Sequence, residues 1–122
     1  MAGLKLDGAG TAKMATLEAA MNHCQRLHST VEQCAMAVKG KQPAAPFIPQ
    51  MRRYAQPMVS ILKGQFGMIA EQTTAFLLSS SRSGGNDHNR VRALREGVAQ
   101  IRVQLELAVA KTIELHTASK EL

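Results

Sequence analysis

The chain has 122 residues, which is enough for one domain with a hydrophobic core. Apolar residues make up 45% of the chain and exclude disorder over most of it, while only 3% are aromatic, which disfavours a β-sandwich. Ala, Leu and Met form helices readily, so the composition favours an all-α protein, and the formal net charge of +6 favours acidic partners.

The first predicted element is a long helix over about residues 11–39, preceded by a flexible leader at residues 1–10 that contains three glycines. Thr11 is the predicted N-cap and Gly40 the predicted terminator. Apolar positions recur at alternating spacings of three and four, which keeps one face of the helix toward a partner. These positions are Met14, Leu17, Met21, Cys24, Val31, Ala35 and Val38, and His28 occupies the remaining position of the pattern.

A linker with three prolines within seven residues follows, since proline cannot continue a helix interior. The second predicted helix covers about residues 48–80. Pro57 removes a backbone donor and disfavours an interior helical position by ~3 kcal/mol, so we predict a kink or break near it. Gly64 and Gly67 add a penalty of roughly 1 kcal/mol each.

The third predicted helix covers about residues 88–119, after a loop at residues 79–89 and with Asn86 or Asp87 as its N-cap. Residues 120–122 are predicted to fray. Short connections between long helices favour antiparallel neighbours. We therefore predict a single helical-bundle domain over residues 11–119, an up-down-up bundle of three long amphipathic helices. Self-association could complete it to four or more helices.

Cysteine usage and hydropathy point to an intracellular protein. Cys24 and Cys34 lie ~15 Å apart along one predicted helix and cannot form a disulfide there. The N-terminal residues lack an apolar core of secretory length, and Glu71 interrupts the longest apolar stretch, residues 64–81. We expect free thiols, no membrane span and a cytoplasmic location, with the nucleus as the alternative.

No motif predicts catalysis, a cofactor or a metal. Cys24 and His28 share a helix face as a ligand pair would, but further ligands at the same height do not converge on them. Cysteines in an apolar helical seam are usually inert, and the chain has no phosphate-binding glycine loop. The sequence therefore predicts a non-catalytic protein without cofactor or metal. The serine-rich segment 79–83 could accept a modification, although such segments are more often simple loops.

Basic residues form two clusters, one around the first linker and one on the third helix. In an up-down-up bundle the two clusters lie at opposite ends, which weakens the case for a continuous nucleic-acid surface. The candidate basic residues are Lys39, Lys41, Arg52, Arg53, Arg90, Arg92, Arg95 and Arg102.

A second apolar strip lies on the third helix, nearly opposite its main seam, and similar residues lie off the main stripe of the second helix. They either widen the core or bind a partner helix or a second copy. The candidate partner-binding residues are Ile61, Met68, Leu78, Val103, Leu107 and Ala110.

Long, Ala-rich, aromatic-poor helices with amphipathic seams make the architecture over residues 11–119 resemble the interaction bundles of the focal-adhesion-targeting and vinculin/talin type. The resemblance concerns shape and composition and assigns no residue a role. The leading hypothesis is a non-catalytic adaptor or scaffold that binds a partner helix, or self-associates, through the second and third helices. The alternative is a basic domain associated with nucleic acid or chromatin.

Overall fold

The computed structural model describes residues 6–81 and 86–117. These described residues form four α-helices: α1 Gly8–Lys39, α2 Ile48–Leu62, α3 Gly67–Ser81 and α4 Asp87–His116. A short 3-10 turn, Ala45–Phe47, connects α1 to α2, and an isolated β-bridge joins Leu6 to Thr117. The predicted all-α bundle is confirmed, whereas the predicted count of three helices is wrong.

The second predicted helix is in fact a hairpin of two helices, α2 and α3. The chain leaves helical geometry after Leu62 and resumes it at Gly67, whereas Pro57 lies inside α2. Pro57 costs α2 one hydrogen bond, but the helix is held by a buried face of Met51, Ala55, Met58 and Leu62. The expected break near Pro57 is therefore wrong in position: the chain reverses at residues 63–66.

This extra reversal sets the direction of α4, which runs antiparallel to α1 rather than parallel to it. Glu32 near the end of α1 contacts Arg95 near the start of α4. At the opposite end the backbone N–H of Asp7 donates to the carbonyl of His116 at 2.9 Å. The topology is up-down-up-down.

The four helices pack in a ring in which each contacts its neighbours along the chain and α1 also contacts α4. Their inward faces form one apolar core. Its largest fully buried members are Leu17, Leu27, Met51, Met58, Leu62, Leu94, Ile101 and Leu105. Gly97 lets α3 approach α4 closely, because a Cβ there would lie 3.0 Å from a ring carbon of Phe76.

The helix ends differ from the predicted ends by a few residues. Asp7, not Thr11, caps α1, and its carboxylate accepts a hydrogen bond from the Gly10 N–H at 2.7 Å. Asn86 caps α4 as predicted, accepting from the Asn89 N–H at 2.8 Å. The first five residues of the predicted leader and residues 118–122, including the predicted frayed terminus, lie outside the described residues.

Candidate polyanion-binding end

The up-down-up-down topology brings both basic clusters to the same end of the bundle. The C-terminus of α1, the first linker, the N-terminus of α2, the C-terminus of α3 and the N-terminus of α4 all meet there. The backbone N–H of Ala44 in the linker donates to the Asp87 carboxylate at 3.0 Å, which joins the two regions directly. The expectation that the clusters lie at opposite ends is therefore wrong. We call this region the basic end: Lys39, Lys41, Arg52, Arg53, Arg90, Arg92 and Arg95.

The excess positive charge of the described chain is confined to the basic end. Between residues 32 and 56 and between 76 and 96, the described chain has seven Lys or Arg residues and three Asp or Glu residues. The rest of the described chain has five of each and is neutral. Arg102, the eighth predicted basic residue, lies ~10 Å farther along α4 than Arg95, in a crevice with Cys24 and Glu106.

Two grooves open on the basic end. One lies between the start of α2 and the neighbouring ends of α3 and α4, has a volume of about 650 Å³, and is lined by Arg52, Arg53 and Arg90 together with Ser80. The other lies between α1 and α4, has a volume of about 520 Å³, and is lined by both charged and apolar side chains. Its lining includes Lys39, His88, Arg92, Arg95 and Glu96.

Most of these cations are not neutralised within the protein. Arg95 forms a bidentate pair with Glu32, with hydrogen bonds of 2.9 and 2.6 Å. This hydrogen bonding lowers the pKa of Glu32 and raises the pKa of Arg95. Arg90 lies 3.9 Å from the Asp87 carboxylate. Among the described residues, the other five members of the basic end form no ion pair within 4.0 Å.

Lys41 adopts a backbone conformation that L-residues rarely take. Its φ is +67°, in the left-handed region, where glycine is the usual residue after a helix. The turn is closed by the Gln42 N–H donating to the Ala37 carbonyl at 2.8 Å. A lysine therefore occupies a position where glycine would cost less, and its exposed side chain adds a cation to the basic end.

The two thiol candidates, Cys24 and Cys34, are free and buried. Burial is the main cause that raises the pKa of Cys24 to about 11, opposite to the shift that activates a nucleophilic thiol. Cys34 is also buried, and burial raises its pKa as well. Across residues 6–81 and 86–117, no three His, Cys, Asp or Glu side chains are grouped closely enough to hold a metal.

The predicted partner-binding residues are only partly brought together. Met68 and Leu107, 79% and 57% exposed, line one groove between α3 and α4 with Phe66, Ile69 and Ala108. Val103 and Ala110 are exposed on α4 within one turn of Leu107. Leu78 is exposed too but lies ~15 Å along α3 from Met68. Ile61 is half-buried and packs against the core, so it widens the core instead of joining this surface.

The described part of the serine-rich segment, residues 79–81, is helical rather than a loop. Ser79 and Ser80 belong to the last turn of α3, where Ser80 is fully buried and its hydroxyl donates to the Leu77 carbonyl at 2.8 Å. Ser79 is exposed. Ser83 lies outside the described residues, as do the side chain of Ser81 and all of Arg82.

No known protein family matches the chain, and neither a characterised protein nor a solved structure matches it. No helix within the described residues is both long enough and apolar enough to span a bilayer.

Proposed function

We propose that this protein is a non-catalytic helical binding module whose basic end binds nucleic acid. One observation carries the proposal: the whole excess positive charge of the described chain lies at one end of the bundle. In the rest of the described chain the five basic and five acidic residues balance one another, so only this end carries a net positive charge. Concentrated Lys and Arg contact phosphates and release condensed counterions, which is the dominant source of non-specific affinity.

The grooves suit a flexible phosphate backbone more than a single small anion. Arg52 and Arg53 are adjacent on α2, so they point in different directions, and Arg90 faces the same groove from α4. Arg side chains donate two parallel hydrogen bonds to a phosphate. Five cations without an ion-pair partner in the described structure could contact about five phosphates. Contacts of this type position a nucleic acid without reading its sequence.

Fluorescence anisotropy with labelled single-stranded and duplex oligonucleotides tests the proposal. We expect log Kd to rise linearly with log salt concentration, with a slope of about 3.5 for single strands and about 4.5 for duplex if five phosphates are contacted. Changing Arg52→Gln together with Arg53→Gln should weaken binding at low salt and reduce this slope by about 1 to 2.

The matched control changes Arg26→Gln together with Lys63→Gln, which removes the same charge from exposed positions outside the basic end. Its affinity should stay close to that of the wild type. Absence of binding at low salt would contradict the proposal, and so would an equal loss in both double variants, because the position of the charge would then be irrelevant.

A second candidate function is binding of another protein at the groove between α3 and α4. The observation that favours it is that two widely exposed apolar side chains, Met68 and Leu107, lie together in that groove. Exposed apolar clusters of this type are typical of interaction sites. Leu107→Asp should weaken association of the protein with its partner in solution, whereas Leu78→Asp, at a comparably exposed position on α3, should not.

A further inference from the structure

The outward side of α4 has a continuous face centred on Val103. Residues four, seven and eleven positions before or after Val103 point in nearly the same direction as Val103. On a helix these spacings rotate a side chain to within ~40° of its starting direction around the axis. The face comprises Arg92, Glu96, Ala99, Val103, Leu107, Ala110 and Glu114, and every one of these residues is exposed. It spans ~33 Å of the helix.

The chemistry of this face changes along its length. Its middle is apolar, with Ala99, Val103 and Leu107 in succession, and Val103 and Leu107 are 50% and 57% exposed. Arg92 lies at its N-terminal end and Glu114 at its C-terminal end. The two ends are therefore opposite in charge and lie at equal distances from Val103.

We infer that this face is a self-association surface, on which a second copy docks antiparallel with Val103 at the two-fold axis. The face shares Leu107 with the groove between α3 and α4, so a second copy would be the partner in the second candidate function, on which this proposal rests. In this arrangement Arg92 of each copy faces Glu114 of the other, which gives two reciprocal ion pairs. A dimer therefore leaves four of the five cations proposed to contact phosphates available to a nucleic acid. Leu107 of each copy lies against Ala99 of the other, so a large side chain meets a small one and the helices approach closely.

The alternative orientation lacks this complementarity. In a parallel pair Arg92 would face Arg92 and Glu114 would face Glu114, and like charges in contact are unfavourable. A two-fold interface uses the same patch on both copies, so the patch must be complementary to itself. The α4 face meets that requirement in the antiparallel orientation alone.

Molar mass by light scattering across a concentration series is the first measurement. We expect the wild type to form a dimer and Leu107→Asp to weaken dimerisation by at least about tenfold, because a carboxylate would be buried in the apolar centre. Leu78→Asp is the matched control and should leave the mass unchanged. Circular dichroism of both variants verifies that the helices persist.

The orientation is tested with a short bis-maleimide cross-linker. A mixture of Arg92→Cys and Glu114→Cys chains should cross-link, while each variant alone should not, since identical positions would lie ~33 Å apart. Val103→Cys should cross-link to itself. The native cysteines are buried, so the wild-type chain provides the unreacted control.

A wild type that is monomeric at every concentration overturns self-association but leaves the second candidate function open to a different partner. A dimer that Leu107→Asp does not weaken overturns both the inference and that function. Cross-linking of Arg92→Cys or Glu114→Cys alone overturns the antiparallel orientation. None of these outcomes decides whether the protein binds nucleic acid, because that is tested with the variant that combines Arg52→Gln and Arg53→Gln.

Discussion

Two glycines show how single residues decide how closely the long helices approach. Gly10 packs where the start of α1 meets the end of α4, and a Cβ there would overlap the Cβ of His116. Rotation of the histidine cannot relieve this overlap, because its Cβ is fixed to the backbone of α4. Gly64, in contrast, has an ordinary φ, and no atom lies within 4 Å of the position that an added Cβ would take.

The two positions should therefore respond oppositely to the same substitution. Gly10→Ala should lower the free energy of unfolding by about 1–3 kcal/mol, the usual cost of overpacking. Gly64→Ala should leave it unchanged or raise it by up to about 1 kcal/mol, because alanine restricts the unfolded chain. Urea denaturation of both variants measures the difference. A Gly10→Ala variant as stable as the wild type would show that α1 and α4 do not meet closely at Gly10.

The buried thiol of Cys24 makes stability sensitive to alkaline pH. Burial raises the pKa of Cys24 from 9.0 to about 11, so the folded protein retains the thiol proton at a pH where the unfolded chain has lost it. The protonated Cys24 thiol therefore makes its full contribution to the free energy of unfolding below pH 9, and this contribution is lost as the pH rises toward 11. The loss should be about 2–3 kcal/mol.

Denaturation curves between pH 8 and 11 test this expectation in the wild type and in Cys24→Ala. The variant starts from a different stability, because alanine leaves a small space, so the slopes are compared and not the absolute values. The variant should show a shallower decline. If both chains decline in parallel, the Cys24 thiol does not titrate as its burial requires.

At the scale of the helices, the antiparallel pair α1 and α4 is joined by carboxylates at both ends. The Gly10 N–H is the main cause that lowers the pKa of Asp7, and the neighbouring His116 lowers it further. Hydrogen bonds from Arg95 lower the pKa of Glu32 at the other end. Each carboxylate therefore stabilises the fold when ionised, above its ordinary pKa of 3.8 or 4.5.

We expect this contribution to be lost progressively as the pH falls below about 4.5. Asp7→Asn and Glu32→Gln should each flatten the acid part of the stability profile, since neither amide titrates. Glu18→Gln, on an exposed α1 residue with no ion pair in the described structure, serves as the control and should keep the wild-type profile. Unchanged acid sensitivity in both variants would show that these pairs do not hold the helices together.

Helical periodicity was sufficient to predict α1 and α4, but not the reversal between them. Regular spacing of apolar residues predicts a helix whatever follows it, and both long helices lie close to their predicted ranges. The sequence does not predict the position of the hairpin, because proline has the largest helix penalty of any residue and draws the expected break to Pro57, whereas tertiary packing of α2 offsets that penalty. Gly64 and Gly67 carry smaller penalties each, but they lie within and directly after the reversal at residues 63–66.

That one missed reversal also changed the predicted site. With three helices the basic clusters separate, and with four they meet, because adding a helix reverses the direction of α4. The residues of the basic end could thus be named from the sequence, while their proximity depended on the topology. The exposed positions Val103 and Leu107 were predictable for the opposite reason: their placement on the outer face follows from helical spacing alone.

For the molecule as a whole, a charge surplus at one end is a cost to the fold that nucleic-acid binding would explain. Like charges concentrated on a small bundle repel each other and destabilise the compact state, and salt screens this repulsion with a Debye length of about 10 Å at 0.1 M. Arg52→Gln with Arg53→Gln should therefore raise the free energy of unfolding at low salt, and the gain should shrink as salt is added.

The control pair Arg26→Gln with Lys63→Gln removes the same charge from the electrically balanced part of the chain and should produce no such gain. Urea denaturation at low and high salt measures both pairs, and an oligonucleotide should stabilise the wild type more than the Arg52 and Arg53 variant. If removing the two arginines destabilises the protein at every salt concentration, their role is in holding the fold. If it stabilises the protein while weakening binding, the basic end has been retained for its ligand at the expense of stability.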